Sequence, residues 1–322
     1  MPASALRGRR SQYLRLLAVA AIFYVAFPFS AAFFLGPLAV LLVLSRPTTF
    51  REWIWIAVCV TAVVIWLRLP ESLSQQTIRA AAAFYVGALA ALTLGGKRSL
   101  VSRALMAVTI AVVAMIGWFL VLHLRFVDLQ NDLVAQTWGA WRQIATNLPA
   151  TPPTGTGDFV QDAQATDLPT LLATSLTTLK LLFPALLALL ALGGTWLAWD
   201  NYQRIARTPL APGASPLRDF RFNDHLVWTL LIAAAAMLLH LSPALTIVGS
   251  NVLVVIVALY CLRGMAIVAM MMRNAPPLFI ALLVVIMFLT LAFVLVGFVL
   301  VGIADTWLDF RRRAAPPSGV RP

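Results

Sequence analysis

IVGSNVLVVIVALYCLRGMAIVAMMM, residues 247–272, holds a single charge, Arg263, among its 26 positions. About 20 apolar residues at roughly 1.5 Å of rise each carry a helix across the ~30 Å hydrocarbon core of a bilayer. Inside that core every backbone N–H and C=O must be paired within the segment, which makes the segment a helix. Comparable stretches occur at 13–28, 30–45, 53–69, 77–95, 104–123, 169–199, 226–241 and 278–303. The expectation is an all-α, polytopic transmembrane helical bundle of about eight spans, with nine as the count if every candidate crosses. Stretches 13–28, 30–45 and 226–241 are short, and Pro28 and Pro37 interrupt the first two, so one of them is expected to be re-entrant or merged.

The composition agrees. Hydrophobic residues make up 61% of the 322 and charged residues 11%, against about 25% charged in soluble domains. Apolar stretches recur along the whole chain, which excludes a single-span anchor carrying a soluble domain. The leader MPASALRGRRSQYLRLLAVAAIF begins like a secretory signal, but its apolar run is long and FPFSAAFF is crowded by Phe at any cleavage point, so it reads as a retained first helix.

The 24 Lys+Arg outnumber the 12 Asp+Glu, for a net charge of +12. These cations fall in short clusters between apolar runs rather than along an aromatic-interleaved face, which excludes nucleic acid as the partner. They orient the chain instead. Arg7, Arg9 and Arg10, then Arg46 and Arg51, then Lys97, Arg98 and Arg103, then Arg204, Arg207, Arg218 and Arg221 alternate correctly as cytoplasmic segments. The expected location is the inner (plasma) membrane with the N-terminus in the cytoplasm; Arg311, Arg312 and Arg313 stay inside only with an even number of spans.

This divides the chain into N-terminal transmembrane helices at 1–123, an external segment at 124–168, C-terminal transmembrane helices at 169–313 and a disordered tail at 314–322. In the external segment Phe126, Val127, Leu129, Leu133, Val134, Trp138, Trp141, Ile144 and Leu148 recur at helical spacing, opposite Asp128, Asn131, Asp132 and Arg142. That pattern predicts an amphipathic helix at the outer interface, with a lid over a central cavity as the alternative. ATPPTGTGD, 150–158, is a linker. Ala83, Gly87, Ala91 and Gly95 form a small-residue stripe, expected to pack within the bundle rather than in a homodimer.

No HExxH, GxSxG, P-loop or GxGxxG motif occurs, and His123, His225 and His240 lack metal-ligand spacing, so neither an enzyme nor a metal or other cofactor is expected. Cys59 and Cys261 read as buried apolar groups. Polar residues at membrane depth carry the functional signal. Arg263 reads either as a contact for an anionic solute or as an interhelical tie to Asp305; Asn251, three turns earlier, reads as a ligand contact or an interhelical amide bond. Lys180 reads as a snorkelling side chain. In FRFNDHLVW, 220–228, Asn223 or Asp224 is placed to cap a helix, while Arg221, Asp224 and His225 together form a candidate docking patch.

LLFPALLALLALGGTWLAW (181–199), FNDHLVWTLLIA (222–233), NVLVVIVALYCLRGMAIV (251–268) and GIADTWLDFRRR (302–313) resemble the YybS-like family of bacterial membrane proteins over roughly 170–313. Most specific is the Asp305 and Asp309 pair followed by an Arg run. The N-terminal half is similar only in hydropathy, and its PTTFREW turn lacks the glycine expected there. That family is distantly similar to substrate-binding components of energy-coupling vitamin transporters and to the rod-shape protein MreD. The resemblance implies solute or lipid capture in a transport system, or else scaffolding of an envelope complex; the bilayer and a cytoplasmic or membrane protein are the partners.

Overall fold

Among the described residues, helices form along the apolar runs. In the computed structural model the described residues are 31–68, 72–95, 99–147, 167–208, 210, 222–239, 242–272, 276, 287 and 289–310. Among them the helices are α1 (Ala31–Leu44), α2 (Phe50–Leu67), α3 (Leu73–Gly95), α4 (Leu100–Val121), α5 (Phe126–Asn147), α6 (Asp167–Ile205), α7 (Leu226–Leu238), α8 (Pro243–Met271) and α9 (Leu291–Leu308). Among the described residues there is no strand. Six helices, α2, α3, α4, α6, α8 and α9, are long and apolar enough to cross a membrane. With 14 and 13 residues, α1 and α7 reach only about 20 Å. The stretch 13–28, the linker 150–158, Arg221, Arg311 to Arg313 and the tail 314–322 lie outside the described residues.

The chain divides into two compact units, Met1–Gly213 and Ala214–Pro322. In the first, α1 packs on α6, α2 and α3, α3 lies along α4, and α5 rests on α3 and α6. Its core gathers Phe33, Ile78, Tyr85, Leu89, Leu129 and Phe183 around small residues such as Ala82, Ala107 and Ala191. The small-residue stripe is not part of it: Ala83, Gly87, Ala91 and Gly95 lie on the exposed side of α3, and a Cβ on Gly87 or Gly95 would meet nothing within 4 Å. The buried side carries Ser74, Ile78, Ala82, Tyr85 and Leu89. Small residues permit close approach, but here bulkier neighbours on the other face bury more surface.

Each end of this unit is tied by a carboxylate that hydropathy does not reveal. At one end buried Glu52 accepts the Thr48 and Thr49 N–H groups and the Thr49 hydroxyl at 2.8 Å each. Its other oxygen accepts the Arg207 N–H at 2.8 Å, which joins the α1–α2 turn to the chain leaving α6. This satisfies the end of α2 without the glycine expected in PTTFREW. At the other end Asp132 of α5 accepts the Ser74 N–H at 2.7 Å, and Gln136 donates to Ser74 Oγ at 2.7 Å and to Asp132 at 2.9 Å. Asp132 therefore turns inward while Val127 is exposed; otherwise the expected faces hold, with Phe126, Leu129 and Leu133 against the core and Asp128 and Asn131 exposed. Pro184 lies inside α6 and has no N–H for the carbonyl four residues earlier. That carbonyl, of Lys180, instead accepts from the Gln130 side chain of α5 at 3.4 Å.

In the second unit α8 packs along both α7 and α9. A Cβ on Gly264 would strike the Phe298 carbonyl, and one on Gly302 the Tyr260 carbonyl, so α8 and α9 touch backbone to backbone. Helix α9 continues through Leu308, which places Asp305 within its last turn.

Candidate functional site

The second unit closes around Arg263. Its side chain is wholly buried, and the close contact at Gly264 and Gly302 brings α9 to it. Nε donates to Asp305 Oδ2 at 2.9 Å and Nη1 to Asp224 Oδ1 at 2.7 Å. Asp305 is as buried as the arginine, whereas the Asp224 side chain is 51% exposed. The guanidinium stands 5.3 Å from the Phe222 ring, which meets Tyr260 edge-on at 5.1 Å. One cation faces two carboxylates, so the cluster carries a net charge of about −1, which disfavours an anion there.

Asp305 also accepts the Phe310 N–H through Oδ1 at 3.0 Å. Asp309 makes that bond reachable: its φ of 43° is left-handed, and its N–H bonds back to the Asp305 carbonyl at 3.2 Å. Asp224 does not serve as the helix cap, since its carboxylate is directed to Arg263. His225 is the N-cap residue of α7 and makes no side-chain cap bond; its N–H is taken by Asn223 Oδ1 at 3.1 Å. Asn251 donates to the Ile247 carbonyl of its own helix at 2.8 Å. Twelve residues separate it from Arg263, about 18 Å along α8. The structure thus brings Arg263, Asp305 and Asp224 together, sets Asp309 and His225 beside them, and leaves Asn251 apart.

The first unit holds a cavity of about 360 Å³ among α3, α4, α5 and α6, which no motif announces. Its walls include Val112 and Ile116 of α4, Leu187 of α6 and Phe126 and Leu129 of α5. Thr77 and Tyr85 supply its polar groups. The Thr77 hydroxyl already donates to the Leu73 carbonyl at 2.8 Å, and the Tyr85 hydroxyl shares a 2.6 Å bond with Thr195. The cavity therefore offers apolar contact and little else. At its α5 end, His123 at φ 52° and the bond from the Leu124 N–H to the Phe119 carbonyl at 3.0 Å turn the chain from α4 into α5. The amphipathic helix is thus wall as well as surface. Its spacing placed Leu129 on the apolar face, but spacing alone does not tell contact with the bundle from contact with lipid. Among the described residues no cluster of His, Cys, Asp and Glu could hold a metal ion.

A family described as "Predicted membrane protein (DUF2232)" matches residues 15–306. The chain belongs to this family. The matched stretch takes in both halves of the chain, and the description names a membrane protein without a solute, partner or reaction. No curated protein and no solved structure matches the chain.

Proposed function

We propose that the protein is a non-enzymatic binding component that receives an apolar solute or a lipid tail in the cavity of its first unit, as part of a transport system in the inner membrane. The observation that carries this reading is the cavity itself. A volume of about 360 Å³ falls in the range of small-molecule sites, and its hydroxyls are already bonded. The basic clusters that meet at the Glu52 end, through Arg207 and through the Arg51 bond to the Arg204 carbonyl at 3.3 Å, support placing that end in the cytoplasm. The likeness to vitamin-transporter binding components is in keeping with solute capture, although Arg263 and Asn251 are not the residues that line the cavity.

The test is native mass spectrometry of the detergent-purified protein, wild type against Ala188→Phe, which fills the cavity from α6. The wild type should retain apolar molecules that the variant has lost while keeping its thermal unfolding midpoint. Equal retention, or none by the wild type, rejects the reading. A scaffold of MreD type is favoured by one observation, the closed Arg263–Asp305 tie between touching helices; recovery of cell-envelope machinery with the protein, and no solute, would support it.

A further inference from the structure

Arg103 stands in the first turn of α4 and is 6% exposed. Its guanidinium lies 5.3 Å from the ring centre of Trp199 on α6, itself 1% exposed. Among the described residues that stacking is its only partner: it has neither a hydrogen bond nor an ion pair, and its buried Nε meets no acceptor. The indole Nε1 of Trp199 is buried and lacks an acceptor too. Both groups only donate, and an unmet buried donor is costly, more so when it is charged.

The carboxylates described at this end of the unit are committed elsewhere. Glu52 is filled by Thr48, Thr49 and Arg207. Asp200, next in sequence to Trp199, pairs with Arg204 at 2.8 Å. The N-terminus of α4, capped by Ser99 accepting the Ser102 N–H at 3.3 Å, adds partial positive charge beside Arg103. Two buried donors, Arg103 Nε and Trp199 Nε1, thus stand without an acceptor among the described residues, and what would balance them is an oxyanion with several lone pairs. Arg suits a phosphoryl group in particular, since its planar fork meets two oxygens at once.

We propose that Arg103 and Trp199 form a binding site for a phosphoryl oxyanion, carried by a lipid headgroup or by a soluble phosphate. The site stands apart from the apolar cavity and does not depend on it.

The full-length protein in detergent is titrated with inorganic phosphate against chloride at equal ionic strength, and with phosphatidylglycerol against diacylglycerol of the same chains. Thermal unfolding and native mass spectrometry are the readouts. Wild type should be stabilised by at least one of the two phosphates and by neither control. Arg103→Gln should abolish the response, and Trp199→Phe, which keeps a ring but removes the N–H, should weaken binding by about tenfold. A response to phosphatidylglycerol alone assigns the site to a lipid, and a response to both assigns it to the free anion. No response in the wild type, or an equal response in Trp199→Phe, overturns the proposal even if Arg103→Gln does not fold.

Discussion

Arg263 and Arg103 are both buried in helices, but in opposite company. Arg263 is held by two carboxylates, a ring and the closest helix contact described, and among its guanidinium nitrogens only Nη2 lacks an acceptor among the described residues. Arg103 has one indole face and no carboxylate among the described residues. A buried cation whose partners are built in acts as a joint, and its removal breaks the fold. One whose partners are missing invites a partner from outside, and its removal should cost little or help. Under the two proposals made above the units do different work, the second as a fixed tie and the first as the part that binds.

The largest effect should come from breaking the joint. Asp305→Ala leaves Arg263 buried with half its ion pairing and the Phe310 N–H without its acceptor, and it should destabilise the protein by about 3–5 kcal/mol. Thermal unfolding in micelles measures it. Adding Arg263→Met should restore part of the loss, because the stranded charge goes with it; a double variant no more stable than Asp305→Ala would deny the pair its coupling. Asp224→Ala should cost less, about 1–2 kcal/mol, since its half-exposed carboxylate can be replaced by water at Nη1.

Arg103→Met reverses the sign. Without ligand it forfeits the stacking on Trp199 but relieves an unmatched buried charge, and the net should be stabilisation within about 1 kcal/mol. A loss on the scale of Asp305→Ala would make the two arginines equivalent and erase the contrast.

How far this was legible in the sequence follows from what hydropathy measures. Arg263 stood out because 12 uncharged residues, from Asn251 to Leu262, precede it, and Asp305 followed as the acid nearest in depth. Arg103 was hidden because it follows Lys97 and Arg98 and was counted with them as a topological charge, although its side chain is buried against Trp199 of α6. Glu52 was hidden in the same way, since a carboxylate in a helix's first turn is ordinarily a surface cap. The cavity was legible only as the alternative reading of α5 as a lid, and its other walls were not. Lipid and protein interior are equally apolar, so alternation along a spanning helix does not tell a wall facing a void from one facing acyl chains. In α5, which has a polar side, the pattern gave a helix but misplaced Asp132, whose bond to the Ser74 N–H belongs to tertiary structure.

The smallest effect tests the same distinction with neutral groups. The Lys180 carbonyl is orphaned by Pro184 and met by Gln130, so it is a supplied partner rather than an empty one. At 3.4 Å the bond is long, and Gln130→Ala should cost under about 1 kcal/mol. The decisive comparison is the background. In Pro184→Ala the restored N–H can return to the Lys180 carbonyl as an ordinary helix bond, and Gln130→Ala should then cost nothing measurable. If its cost is the same in both backgrounds, Gln130 serves only to pack α5 against α6, and the orphaned carbonyl is satisfied without it.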